Sequence, residues 1–367
     1  MKGTKEQGGT RMEPTQLLID MDQFHENIRR ILDATSADVM AVLKANAYGH
    51  GIELAQALET YDRISLIAVA TVAEAIALRR FSTKDILVLG VLLEDQWATA
   101  IHHNLISILP AWLDPDSLPG PMRFFINIDT GFHRFGLEPS RKSIEQIEHM
   151  QAHDNVTIEG IYTHLRLVDD AADDIQIKTF QNLIASLSFQ PRYLSIADSI
   201  ALTRHPEWGN LVRIGALMYG LESDRERGKL SVAPIATLRS RITHVTAVDA
   251  GDALYYSNKP LTRPTRVATI PIGYADGLPR TIPDGLTVLV HDVAVPYLAI
   301  SMDHSAIDIT DVDAAIGDAV IVFGGNGLSV AAVARLYKTN KNNVVSGLHH
   351  RIPRTHVRSK GESSHDL

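Results

Sequence analysis

Between Leu17 and Leu217 the chain alternates eight short apolar runs with amphipathic stretches, and that alternation narrows its possible folds more than any other feature. The runs are Val39–Leu43, Leu66–Val69, Ile86–Leu89, Leu105–Leu109, Phe124–Ile128, Ile158–Thr163, Tyr193–Ala197 and Leu211–Ile214. Most lack the period-two pattern of a strand with one wet face, as expected of parallel strands covered on both sides. The stretches between several of them read as helices. Met21–Leu32 places Phe24, Ile28, Ile31 and Leu32 on one face, and Ala73–Arg80, Arg141–Met150 and Ile177–Leu187 keep similar spacing. The pattern predicts a closed (β/α)8 TIM barrel. A doubly wound open sheet is the alternative, but the phosphate fingerprint Gly-x-Gly-x-x-Gly is missing after the first strand.

Near residue 232 the helical patterns give way to strand after strand: Ile235–Val248, Arg266–Ile272, Leu286–Val290, Val293–Ile300, Ala306–Ile309 and Ala319–Phe323, with one short helix at Ser329–Tyr337. Turn signals such as Pro283-Asp284-Gly285 and Gly324-Gly325-Asn326-Gly327 divide them. The fold class expected is therefore α/β plus all-β: a barrel over residues 15–232 and a β-strand-rich domain over 233–367, preceded by a polar tail at 1–14.

Composition removes several functions. Lys and Arg number 35 against 43 Asp and Glu, and no basic stripe stands out, so nucleic acid is not an expected partner. The absence of cysteine excludes disulfides, thiolate nucleophiles and Cys-based metal sites. The sixteen histidines form no His-Glu-x-x-His motif, and no metal is expected. With no apolar run long enough for a bilayer and no secretory h-region in the first twelve residues, the expectation is a cytoplasmic protein without a membrane partner.

In a barrel, residues at the C-terminal ends of the strands share one rim, and chemistry collects there. Along that rim the sequence places Lys44 and Tyr48, Asp129 to Arg134, His164 and Arg166, Asp198 and Ser199, and Arg213, Gly215 and Ala216. Lys44 closes an apolar run and faces a glycine-bearing loop, where an amine can form a Schiff base with a carbonyl compound, pyridoxal phosphate above all. Arg213 is embedded in Leu211-Val212-Arg213-Ile214, and such a charge is seldom buried without a partner. It reads either as a barrel-mouth salt bridge or as a permanent cation held against a cofactor ring. Ser199 and the backbone at Gly215 could meet an anion, or simply end strands. In the β region, Tyr274 within Pro271-Ile272-Gly273-Tyr274-Ala275-Asp276-Gly277 is either a second acid/base or a packed tyrosine.

The motifs Val42-Leu43-Lys44-Ala45-Asn46-Ala47-Tyr48-Gly49-His50-Gly51, Asp129-Thr130-Gly131-Phe132-His133-Arg134-Phe135-Gly136, Glu159 to His164, Val212 to Gly220, Pro271 to Gly277 and Met302-Asp303 resemble those of pyridoxal-phosphate-dependent alanine racemases, in the same order. The likeness covers nearly the whole chain from about Thr15. The resemblance implies pyridoxal 5'-phosphate on Lys44, which also serves as one base, and Tyr274 from the other subunit of a homodimer as the second. It further implies Arg213 at the ring nitrogen with His164 beside it, and Tyr48, Ser199, Gly215, Ala216 and His350 around the phosphate. Arg134 would meet the substrate carboxylate, and Met302 and Asp303 would line the substrate pocket. The expected reaction is interconversion of L- and D-alanine by two bases. A serine or broader racemase, a non-catalytic cofactor-binding protein, and an aldolase or decarboxylase on the same barrel are the alternatives.

This sequence departs from the family pattern at several positions, among them Ser195 in place of the histidine of His-x-Ala-Asn-Ser. Asn127 stands where many members carry a carbamylated lysine that supports the arginine, Asp198 stands where asparagine is usual, and His350 replaces the usual phosphate-binding tyrosine. A carboxylate beside a phosphate is unfavourable without compensation, so His350 is expected to pair with Asp198.

Overall fold

The computed structural model describes residues 13–205, 208–223 and 229–358. The expected N-terminal tail lies outside them as far as Met12. The chain forms two compact units, Gln23–Pro234 and the described residues up to Asp22 together with those from Ile235 onward.

The chain opens with strand β1, Gln16–Asp20, followed by the helix Met21–Asp33. In the first unit the eight predicted runs all become parallel strands. They are β2 (Asp38–Val42), β3 (Ile64–Val69), β4 (Asp85–Val91), β5 (Leu105–Ile108), β6 (Met122–Asn127), β7 (Val156–Tyr162), β8 (Tyr193–Ser195) and β9 (Leu211–Ile214). Their order is β8-β7-β6-β5-β4-β3-β2-β9, so the last strand lies beside the first. The ring closes just past β8, where Arg213 N–H donates to the Ala197 carbonyl at 2.9 Å and Asp198 bridges to Arg213. The interior is filled by Met40, Leu66, Ala68, Leu87, Ile106, Phe125, Tyr162, Tyr193 and Leu211, so the barrel is a packed core and not a pore.

The helices around it start where the sequence supplies caps. Thr71 and Glu74 form a reciprocal capping box on Val72–Leu78, and Ser140 and Asp169 cap Arg141–Gln151 and Asp170–Ala185. Phe24, Ile28 and Ile31 of Met21–Asp33 are buried, as the face predicted.

The second unit is one nine-stranded sheet. Its further strands are β10 (Ala236–Arg241), β11 (His244–Val248), β12 (Thr265–Ile270), β13 (Thr287–Val290), β14 (Val293–Ile300), β15 (Ser305–Asp308), β16 (Ala319–Phe323) and β17 (Arg354–Val357), in the order β11-β12-β15-β14-β13-β16-β10-β1-β17. Three features differ from the sequence expectation. The single run expected over Ile235–Val248 breaks into two strands that pair with different neighbours. A second helix, Lys341–Ser346, follows Val330–Leu336. And β1, within the stretch expected to belong to the barrel, pairs antiparallel with β10 and parallel with β17. No helix among the described residues is long and apolar enough to cross a membrane.

Candidate active site

The site begins with an unusual stretch of backbone. After β2 the chain enters a left-handed turn: Ala45, Asn46, Ala47 and Tyr48 have φ of 53°, 55°, 53° and 54°, and Gly49 and Gly51 follow at 85° and 107°. Side-chain sterics make this cost about 1–2 kcal/mol for each non-glycine residue. Backbone this strained persists only where its surroundings over-determine it, and it clusters at functional sites. The turn places Lys44 at one end and Tyr48 at the other. Both line a cavity of about 300 Å³ together with Arg134, Tyr162, His164, Asp198, Arg213 and Gly215. That is the lower end of the size range for small-ligand pockets.

Lys44 is half-buried, and its amine makes no hydrogen bond or ion pair among the described residues. Burial first, and then the Arg134 charge, pulls it below the ordinary lysine value, while Glu74 pushes the other way.

Arg213 is 7% exposed and has no carboxylate in ion-pair contact among the described residues, which removes the salt-bridge reading. Its Nη1 donates to Ser195 Oγ at 2.7 Å, and its Nη2 donates to the Thr163 carbonyl at 2.8 Å and reaches His164 Nδ1 at 3.3 Å. Its guanidinium lies 4.9 Å from the centroid of the Tyr162 ring. A buried cation is thus balanced by neutral acceptors and an aromatic face. Burial, then Arg213, drives His164 down to about 4, so its imidazole is neutral near pH 7. A neutral ring that accepts on Nδ1 carries its proton on Nε2.

Tyr48 and Gly215, both lining the cavity, meet each other, and Ser199 joins them through Gly215. A Cβ on Gly215 would lie 2.5 Å from the Tyr48 hydroxyl, so only glycine permits that approach. Burial, then Asp198, pushes Tyr48 up to about 12, which keeps it a hydroxyl donor. The Gly215 N–H, expected to be open to an anion, instead donates to Ser199 Oγ at 3.1 Å. That acceptance leaves the serine hydroxyl proton to point elsewhere. Ala216 opens the short turn Ala216–Tyr219 beside it. Asp198 turns Oδ1 into the amides of Ile200 and Ala201, both at 2.9 Å, so part of its charge is met by its own loop. Two hydroxyls and a side-chain-free backbone beside a buried cation and an unpartnered amine suit an aldehyde with a phosphate tail, so pyridoxal phosphate fits this donor set.

Arg134 is carried by a loop shaped by Asp129, whose Oδ1 accepts from the amides of Gly131 and His133, each at 3.0 Å. Its guanidinium sits 4.8 Å from the Phe132 ring centroid and 4.9 Å from that of Phe135, and Phe132 meets His164 edge-on at 4.5 Å. These aromatic supports were not foreseen from sequence, although Phe132 and Phe135 stand inside the motif that singled out Arg134.

The β domain assembles its own cluster. Tyr274 is 38% exposed and Met302 53%. Their loops interlock through backbone: Tyr274 N donates to the Ser301 carbonyl and Ala275 N to the Met302 carbonyl, each at 3.0 Å. Asp276, nearly buried, accepts from Gly273 N at 2.9 Å and from Arg351 Nε at 2.6 Å, while Arg351 Nη2 donates to Asp303 at 2.6 Å. Arg351 therefore fastens the Tyr274 loop to Asp303, and it follows directly on His350, which is exposed. Sequence reasoning passed over Asp276 and Arg351, because a surface arginine has no signal until its partners are known.

The fold and site define an α/β-barrel enzyme with a lysine, a buried arginine and anion-accepting groups around one cavity, joined to a β domain that bears an exposed tyrosine. Comparison with known proteins narrows the class. The family described as alanine racemase, N-terminal domain, matches residues 19–223, and alanine racemase, C-terminal domain, matches residues 235–356. The alanine racemase of Desulforamulus reducens is 31% identical, with 94% of this chain and 99% of that one covered. That of Listeria monocytogenes serotype 4a is 33% identical, with 94% and 98% covered. Among solved structures, alanine racemase from Clostridium difficile 630 superposes with a TM-score of 0.89 at 26% identity, covering 95% and 97% of the two chains. The Bacillus anthracis alanine racemase with bound L-Ala-P gives 0.87 at 27% identity, covering 96% and 97%. This chain belongs to the alanine racemase family, and membership implies pyridoxal phosphate as cofactor.

Proposed function

We propose that the chain interconverts L- and D-alanine, with Lys44 and Tyr274 as its two acid/base groups and a homodimer as the working unit. The observation that carries the reading is Arg213, a guanidinium buried against neutral acceptors in the same cavity as a lysine amine without a partner. When bound, pyridoxal phosphate supplies an aldehyde that condenses with amines and a ring that takes up the electron pair left when Cα loses its proton.

The residues of the chain divide the remaining work. Lys44 would hold the aldehyde carbon, and Tyr48, Ser199 and the backbone at Gly215 and Ala216 would hold the phosphate, the Gly215 N–H by exchanging Ser199 Oγ for a phosphate oxygen. Arg213 would donate to the ring nitrogen but keep its own proton, because a guanidinium does not give one up at working pH, and by withholding that proton it would favour return of the proton to Cα over side reactions. Arg134 binds the substrate carboxylate, steadied between Phe132 and Phe135. The lowered affinity of Lys44 for protons suits it to take one from Cα near neutral pH. Tyr274 handles the proton on the opposite face, and with Met302 and Asp303 it is supplied by the neighbouring subunit.

The test is incubation of the holoenzyme with L-alanine in deuterium oxide. D-alanine should accumulate to equality with the L form, because mirror images have equal free energy, and the product should carry deuterium at Cα. L-serine should turn over more slowly, since a small pocket discriminates such a difference by about 1–3 kcal/mol. Cofactor-loaded protein that gives neither D-alanine nor Cα exchange would refute the proposal, and loss of amino acid mass would indicate an aldolase or decarboxylase instead.

A further inference from the structure

We propose that Tyr219 is a positioning residue that grips both ends of the left-handed turn and so sets where Lys44 and Tyr48 stand relative to each other. The proposal rests on the reading of those two residues as anchors for opposite ends of the cofactor.

The turn's own hydrogen bonds fix its shape. Ala47 N donates to the Leu43 carbonyl and Gly49 N to the Ala45 carbonyl, both at 2.8 Å, and Asn46 Oδ1 accepts from Ile52 N at 2.8 Å. None of them fixes how the turn is aimed against the barrel. Contacts from outside bear on that, and two stand out among the described residues. Glu74 Oε1 accepts from Ala45 N at 2.7 Å, and Tyr219 touches the segment at three points. The Tyr219 side chain is fully buried, and its hydroxyl donates to the Val42 carbonyl at 3.0 Å, two residues before Lys44. Its ring lies 5.2 Å from that of Tyr48, tilted by 36°, and stacks on His50 at 4.6 Å and 10°. One side chain thus contacts the strand that delivers the lysine, the residue that ends the turn, and the residue two beyond it. Tyr219 also belongs to the segment after β9 that supplies Gly215, the backbone against which the Tyr48 hydroxyl rests. Strained backbone of this kind depends on such external bracing, because its intrinsic preference is to relax. Aromatic packing gives the brace a defined direction.

Two variants separate the hydroxyl from the ring, and each is read by cofactor binding as well as activity. Tyr219→Phe removes the bond to Val42 and keeps the ring. Borohydride-trapped incorporation of cofactor on Lys44 should slow by up to about tenfold, while the preference for pyridoxal phosphate over pyridoxal stays as in the parent chain. Tyr219→Leu removes the ring that backs Tyr48, and that preference should shrink by about 2- to 10-fold. Leu183→Ala on the helix Asp170–Ala185 serves as a core truncation that lowers the melting temperature without altering the preference. Parent-like trapping rates and preferences in both Tyr219 variants would overturn the proposal, as would an equal loss of preference in Leu183→Ala. Should Tyr219→Leu fail to fold, the trapping rate of Tyr219→Phe decides alone, and an unchanged rate overturns it. A parent chain that takes up no cofactor on Lys44 would sink the functional reading and this one together. Uptake by the parent beside variants that match it would sink only the role of Tyr219.

Discussion

Gly215→Ala adds one methyl group, and the structure says where it lands. It would lie 2.5 Å from the Tyr48 hydroxyl, 2.9 Å from Cζ and 3.1 Å from Cε2, about 1 Å inside ordinary contact at the closest point. Gly215 has φ of −121°, so no left-handed backbone is involved and the obstacle is the clash with Tyr48. Tyr48 must move, and its ring is backed by Tyr219. Overpacking of this kind costs about 1–3 kcal/mol. If the cost falls on the arrangement that grips the phosphate, cofactor affinity drops by about 5- to 160-fold. Titration of the apoprotein with pyridoxal phosphate, followed by its absorbance, measures the change directly. Pyridoxal, without the phosphate, should lose much less affinity. An unchanged dissociation constant for pyridoxal phosphate, or an equal loss for both compounds, would refute the assignment of Tyr48 and Gly215 to a phosphate subsite.

Three further perturbations probe other parts of the site. His164 titrates near 4 when folded against 6.5 in its ordinary state, so the unfolded chain takes up a proton first as pH falls, and stability is lost between about 6.5 and 4. His164→Gln should flatten that part of the urea-midpoint profile of the apoprotein, and an unaltered slope would contradict the neutral imidazole. Arg351→Met leaves the nearly buried Asp276 without its guanidinium partner and should destabilise the protein by about 1–3 kcal/mol, read as a lower denaturant midpoint. A midpoint equal to the parent's would mean that the Asp276–Arg351–Asp303 link carries no net energy. Tyr274→Phe should abolish racemisation while leaving Cα deuterium exchange of one enantiomer, the one whose Cα proton faces Lys44. Retained racemisation in that variant would remove Tyr274 from the mechanism.

The sequence by itself determined what could be decided by local periodicity and local chemistry. The eight buried parallel strands were legible because short apolar runs such as Leu66–Val69 and Ile86–Leu89 alternate regularly with amphipathic stretches. Lys44, Tyr48, Arg134, His164, Asp198, Arg213 and Gly215 were legible as one group because a barrel brings its strand ends to one rim, whereas Tyr162, which also lines the cavity, was not. Other features depend on partners far away in sequence. Gln16–Asp20 reads like one more strand before a helix, yet its hydrogen bonds are satisfied by β10 and β17, more than two hundred residues away. In Ala45-Asn46-Ala47-Tyr48 only Asn46 favours the left-handed region, and one asparagine does not announce a four-residue turn whose bracing comes from residues such as Glu74 and Tyr219. Nor could Arg213 show from sequence whether a carboxylate or neutral acceptors surround it, because Ser195, Thr163 and His164 reach it only when the ring of strands closes. Periodicity is written in neighbouring residues, whereas strain, desolvation and charge balance are properties of what packs around a residue, and only the folded chain supplies that.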